Sequence, residues 1–217
     1  MSTVSDDPSS KQSSDRLPGR RGQATRRKLL DAATSLLESQ TYRELTVTDI
    51  ARVAGTSPAT FYQYFSDVEE AVLAIATEMV EVTGALLAGR IVDRTWSGTE
   101  GWEASLDVAD AFIDLWERDR AILRVIDLAT DEGDRRFREV RTRLLGAPAD
   151  AFVRVLTERT DVVVADPLAD AGVLVSMLAH VAAHIDGLRS WGADAGELRR
   201  SMARVVYATL TGQSPVG

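Results

Sequence analysis

Four residues of this chain, Ala59, Thr60, Tyr62 and Gln63, have types and spacing that suit one defined chemistry. A glutamine amide pairs with the edge of adenine. An alanine or threonine methyl touches the methyl of thymine, and threonine or tyrosine hydroxyls bind phosphate oxygens. All four lie within TVTDIARVAGTSPATFYQYF, which runs from Thr46 to Phe65. In a helix, Phe61 and Phe65 fall about 40° apart on the face away from the polar set, where they can anchor it.

The elements that must position these side chains can be read around them. Thr46 caps a helix with Asp49 at its third position, an acidic variant of the capping box, and Val47, Ile50, Ala51 and Val53 make one side apolar. Ala54-Gly55-Thr56 is the turn, with Gly55 supplying a left-handed backbone. Ser57-Pro58 then restarts the chain as a second helix, expected from Ser57 to Tyr64. Two short helices joined so briefly have the geometry that enters a DNA major groove. An ordinary helical corner with aromatic core residues fits the local pattern as well.

The string I-A-x-x-A-G-T-S-x-x-T-F-Y-x-Y-F, from Ile50 to Phe65, resembles the signature of TetR/AcrR-family transcriptional regulators. TRRKLLDAATSLL, from Thr25 to Leu37, resembles that family's first helix, so the resemblance covers roughly residues 22 to 80. It implies an all-α fold of about nine helices. A three-helix helix-turn-helix head would precede a C-terminal helical domain for ligand binding and dimerisation. The implied partners are a double-stranded DNA operator, a small hydrophobic effector and a second copy of the chain.

The resemblance also implies DNA contacts from Ser57, Ala59, Thr60, Tyr62, Gln63 and Tyr64. Thr25 and Thr46 fall at positions that often touch phosphate in the family, and both also suit plain helix starts. One departure stands out: the family's usual lysine in F-x-x-K is Val68 here, among Asp67, Glu69 and Glu70. That departure motivates a rival reading, a helical small-molecule or partner-binding protein that keeps the scaffold but reads DNA weakly.

Composition sets the outer bounds. The 217 residues are ample for a sizeable core, and 45% hydrophobic with 27% charged residues is ordinary for a soluble globular chain. There is no cysteine, which excludes disulfides, thiolate catalysis and cysteine-based zinc sites. No apolar run of about 18 residues is evident, and a cytoplasmic, non-membrane protein is expected. No glycine-rich phosphate loop or recognised catalytic constellation occurs, so neither an enzyme nor a cofactor is expected. The net charge of −8 is unevenly spread: residues 16–65 hold eight basic residues against four acids, so the rest carries −12. A basic reading head on an acidic body steers one end of the molecule to phosphate.

Along the chain, residues 1–21 read as a disordered polar and basic arm, 22–66 as the head and 67–217 as the effector and dimer domain. The first helix is expected over residues 22–39. Ser66 and Glu69 suggest a capping box opening a long helix over 67–89, the family's link between head and body. A Gly/Ser/Thr-rich loop over 90–101 follows, in which Trp96 is either a lid or ordinary packing. Helices are expected over 103–118, 121–130 and 134–159, the last kinked or broken at Pro148. Asp166-Pro167 starts one running to about Ser190, apolar on two faces, and Asp194 with Glu197 caps the final helix.

Aromatic residues gather in the middle of the body. By the resemblance, Trp102, Phe112, Trp116, Phe137 and Phe152, with Met177 and His180, are candidates to enclose an apolar effector pocket, core packing being the alternative. Val175, Leu178, Ala182, Leu198, Met202 and Val205 are candidates for a four-helix dimer interface. His180 and His184 are four apart, a chelating spacing. No carboxylate joins them in a recognised metal motif, and no metal is expected.

Overall fold

The computed structural model describes residues 19–159 and 164–214. The expected arm lies outside the described residues over 1–18, and its last two residues, Arg20 and Arg21, already belong to the first helix. Among the described residues the chain forms ten α-helices, one 3-10 turn and no strand.

Helix α1 (Arg20–Leu37) buries Leu29, Leu30, Ala33 and Leu37, the stripe expected from its period. A 3-10 turn (Tyr42–Glu44) closed by Thr41 and Glu44 leads to α2 (Val47–Val53) and α3 (Pro58–Phe61). Helix α4 (Val68–Gly89) runs from this head into the body. By length and composition it could cross a membrane, a feature missed in the sequence. Packing accounts for part of the apolarity: α4 lies along α7 (Arg135–Glu158) and against α1, with Val82 and Leu86 exposed and Glu78 and Glu81 midway.

The cap of α4 sits one residue later than expected. Asp67, not Ser66, is the N-cap, accepting from the Glu70 amide at 2.7 Å, while Glu70 reaches back to the Ser66 amide at 2.6 Å. Glu69 instead pairs with Arg136 of α7 at 2.7 Å.

The body adds α5 (Gly98–Arg118), α6 (Arg120–Asp131), α8 (Pro167–Ala183), α9 (Ile185–Ser190) and α10 (Ala195–Thr211). Helix α7 packs on α4, α6 and α8, and α5 packs on α8 and α10. Asp134, Asp166 and Asp194 each accept backbone amides at the starts of α7, α8 and α10, which satisfies donors no helix can satisfy internally.

Helix α7 is not broken at Pro148, which is buried inside one continuous helix. The proline has no N–H for the Leu144 carbonyl. Gly84 of α4 lies at this point: a Cβ there would stand 3.4 Å from the Arg143 and Leu144 carbonyl oxygens. The missing side chain lets α4 rest on the α7 backbone where the ladder is interrupted.

The helix expected over 167–190 is divided. At His184 the backbone leaves the helical region (φ −117°, ψ 17°), and α9 restarts at Ile185. Trp96 is packing rather than a lid, buried, with its indole N–H donating to the Ile91 carbonyl at 3.1 Å.

Candidate nucleic-acid interface

The head is built by local bonds. Thr46 accepts from the Asp49 amide at 3.1 Å and donates to the Asp49 carboxylate at 2.6 Å. That hydroxyl, then Arg52, holds the Asp49 carboxyl below the usual carboxylate range. At the turn, Gly55 takes φ +68° and the Thr56 amide bonds back to the Ala51 carbonyl at 2.8 Å. Ser57 then caps α3, accepting from the Thr60 amide at 3.2 Å, with its hydroxyl 3.0 Å from that of Thr60. Pro58 follows at the first helical position.

Helix α3 is shorter than expected. It ends at Phe61, and the Gln63 and Tyr64 amides tighten onto the Thr60 and Phe61 carbonyls at 3.2 and 2.9 Å. Phe61 and Phe65 are both buried, ring centroids 5.5 Å apart, so the segment is pinned from beneath. Arg26 of α1 lies 5.4 Å over the Phe65 ring and pairs with Glu78 of α4 at 2.8 Å, tying three elements together.

That anchoring turns Ser57, Ala59 and Gln63 outward, and Tyr62 stands 59% exposed. Thr60 is half-buried and its hydroxyl is engaged with Ser57, while half-buried Tyr64 packs against the core. The Thr25 hydroxyl bonds to its own helix, at the Arg21 carbonyl 3.0 Å away. Of the basic residues counted over 16–65, Arg26 and Arg27 pair with Glu78, whereas Arg20 and Arg21 are exposed.

Val68 is half-buried against the core. The three surrounding acids are occupied, Asp67 and Glu70 by backbone amides and Glu69 by Arg136.

The other expected sites are rearranged. Phe112, Phe137 and Phe152 have no exposure and Trp116 has 7%, so all four are packed core; Trp102 and Met177 are half-buried. Trp102 meets the Tyr207 ring edge-on at 6.2 Å. His180 does not join them. It lies about 200° round the helix from buried Leu178 and is exposed, stacked on His184 at 4.2 Å.

Val175, Leu178, Ala182 and Met202 have at most 5% exposure within the single chain, so they line its own core and have no surface for a partner. Leu198 is half-buried and Val205 is 43% exposed. The large apolar residues left outside on α8 are Leu168 (68%), near its start, and Val173 (65%).

Comparison with known proteins agrees with this architecture. Residues 29–75 match the model described as bacterial regulatory proteins, tetR family, and residues 87–217 match that of the tetracyclin repressor-like C-terminal domain. An uncharacterized HTH-type transcriptional regulator of Haemophilus influenzae is 39% identical over 64 residues, which is 29% of each chain, so the match spans less than a third of that relative. A Mesorhizobium loti structure described as a TetR-family transcriptional regulator superposes with a TM-score of 0.69 at 22% identity, covering 90% of this chain and all of that one. FadR of Bacillus subtilis in complex with stearoyl-CoA gives 0.64 at 15% identity (86% and 98% covered). The SmeT–triclosan complex gives 0.62 at 22% (90% and 94%). One family model covers the reading head and the other more than half of the residues, and on that ground the chain belongs to the TetR family of bacterial helix-turn-helix transcriptional regulators.

Proposed function

We propose that this chain acts as a cytoplasmic homodimeric repressor, released from a palindromic operator by a small hydrophobic effector. The observation that carries the proposal is the outward set of Ser57, Ala59, Tyr62 and Gln63 above the buried Phe61–Phe65 pair. Each head would lay the Ser57 to Tyr64 segment in a major groove, with Gln63 and Ala59 on base edges and Tyr62 and Ser57 on phosphates. Thr25, Thr46, Thr60 and Tyr64 would serve as further contacts or supports. Two-fold symmetry then places the half-sites on successive turns of one face of the duplex.

Dimerisation is assigned to the outer face of α8 and α10, with Leu168, Val173, Leu198 and Val205 as its apolar residues. The effector would enter the body near Trp102 and Met177, the half-buried members of the candidate pocket set. Relatives of this fold solved with stearoyl-CoA and with triclosan support a ligand-responsive body. Release requires that the effector bind the two conformations with different free energies.

A gel-shift titration on the intergenic DNA flanking the chain's own gene tests the proposal, at two salt concentrations and beside Gln63→Ala and Tyr62→Ala. The expected result is a discrete complex that weakens with salt, with Gln63→Ala costing about 1–3 kcal/mol of discrimination. The rival weak reader, motivated by Val68, gains if wild type prefers no sequence in a selection from genomic DNA.

A further inference from the structure

Neither the reading head nor the packed core uses the two histidines of the chain. His180 and His184 stand one turn apart at the end of α8, and both are exposed, outside the apolar interior. Their rings stack face to face, centroids 4.2 Å apart and planes 25° from parallel. The Nδ1 atom of His184 lies 2.9 Å from the His180 carbonyl oxygen. A carbonyl only accepts, so that nitrogen carries the proton and donates, which leaves Nε2 with a free lone pair. A ring oriented in this way by a backbone carbonyl is prepared to bind a metal through its other nitrogen. The His180 ring makes no hydrogen bond among the described residues, so its nitrogens are available as well.

The spacing and the donor set together select a class of ion. Two nitrogens bound about 2.0–2.1 Å from a tetrahedral ion are about 3.4 Å apart. The stacked rings are already close to that separation, and a small turn of either side chain brings both onto one ion. Asp186, two residues beyond His184, pairs with Arg120 and Arg189. No group of three or more histidines and acids that could hold a metal occurs among the described residues. The donors are therefore two neutral imidazoles, which suit Cu²⁺, Ni²⁺ and Zn²⁺, whereas Mg²⁺ and Ca²⁺ require oxygen ligands.

We propose that His180 and His184 chelate one divalent ion of the copper, nickel and zinc class, with water in its remaining positions. Val173, assigned above to the dimer face, lies seven residues before His180 and about 20° away round the helix, so the ion sits on the same flank of α8. The chelate itself rests on neither the regulator nor the dimer reading.

Calorimetric titration of the untagged full chain with Cu²⁺, Ni²⁺ and Zn²⁺ tests the site, with Mg²⁺ as the oxygen-seeking control. The expected result is one ion per chain, not displaced by a hundredfold excess of Mg²⁺. His180→Gln and His184→Gln should each weaken binding at least tenfold, because the remaining imidazole loses a second donor held at high effective concentration. Both side chains are exposed, so the metal-free variants should unfold at the wild-type midpoint. Electron paramagnetic resonance of the copper-loaded wild type should show coupling to two imidazole nitrogens. Full affinity in either variant, displacement by Mg²⁺, or a copper spectrum with oxygen ligands alone would overturn the chelate. One ion per two chains, coupled to more than two imidazoles, would overturn completion by water and put the pairs of two copies on one ion. A chain that binds the metal but no DNA would overturn the regulator and leave the site standing.

Discussion

Head and body use aromatic rings in opposite ways. In the head, Phe61 is fully buried while its neighbour Tyr62 is 59% exposed, the two rings meeting edge-on at 5.8 Å. In the body, Phe112, Phe137 and Phe152 have no exposure at all. Helix α3 spans four residues and has one buried face, so the next residue along must point to solvent. Helices α5 and α7 are packed on two or more sides and have room for aromatic side chains in their shared core. The three body phenylalanines therefore support the core, whereas the exposed Tyr62 ring, held on a rigid support, is the proposed reader in the head.

The largest expected effects test that contrast directly. Phe61→Ala and Phe112→Ala should each cost about 3–5 kcal/mol, through lost burial and the cavity left behind. Tyr62→Ala, one residue from Phe61, should change stability by less than about 0.5 kcal/mol while weakening the DNA complex. Urea unfolding followed by circular dichroism, beside gel shifts, checks all three. Equal destabilisation by the Phe61 and Tyr62 substitutions would remove the distinction between anchor and reader.

Two glycines sharpen the comparison at a smaller scale. Gly55 in the head sits at φ +68° with no atom within 4 Å of where a Cβ would stand, so conformation alone requires it. Gly101 in the body has no positive φ, but a Cβ would stand 2.9 Å from the Trp96 backbone and 3.3 Å from the Tyr207 ring. Substitution by alanine should cost about 1–2 kcal/mol at Gly55 and about 1–3 kcal/mol at Gly101. Asparagine separates the causes, because it tolerates the left-handed region but takes more space. Gly55→Asn should recover stability relative to Gly55→Ala, and Gly101→Asn should be worse than Gly101→Ala, as read by thermal unfolding midpoints.

The same contrast explains what the amino-acid sequence shows and what it hides. The head is legible because its determinants are local: Thr46 to Asp49, the Gly55 turn, and Ser57 to Thr60 all close within a few residues. Where a distant partner intervenes, the local pattern misleads. Ser66-x-x-Glu69 and Asp67-x-x-Glu70 are overlapping capping patterns, and Asp67 caps while Glu69 engages Arg136, 67 residues away. The flank of α8 facing inward depends on α5, α7 and α10, which periodicity along one helix does not identify.

The smallest effect lies where the head meets the body and is set by pH. Burial first, then the carboxylates Glu69 and Asp67, push the Tyr42 hydroxyl up to about 12, with Arg136 opposing. The ordinary value for tyrosine is about 10. A proton held more tightly in the folded chain contributes stability that is complete below the unfolded value and lost as pH rises through the folded one. The chain should therefore lose stability between about pH 10 and 12 in proportion to the Tyr42 shift. Tyr42→Phe keeps the ring and removes the titrating group, so its unfolding midpoint should fall less than that of wild type across this window. From about pH 7 to 9, where Tyr42 stays protonated in both states, the difference between the two chains should be flat. The other tyrosines, 62, 64 and 207, are common to both chains and cancel in the subtraction. Parallel midpoints from pH 7 to 12 would mean that neither burial nor the neighbouring carboxylates hold the Tyr42 proton. A difference confined to the alkaline window would show that burial, with the Glu69 and Asp67 carboxylates beside it, holds the Tyr42 proton in the folded chain.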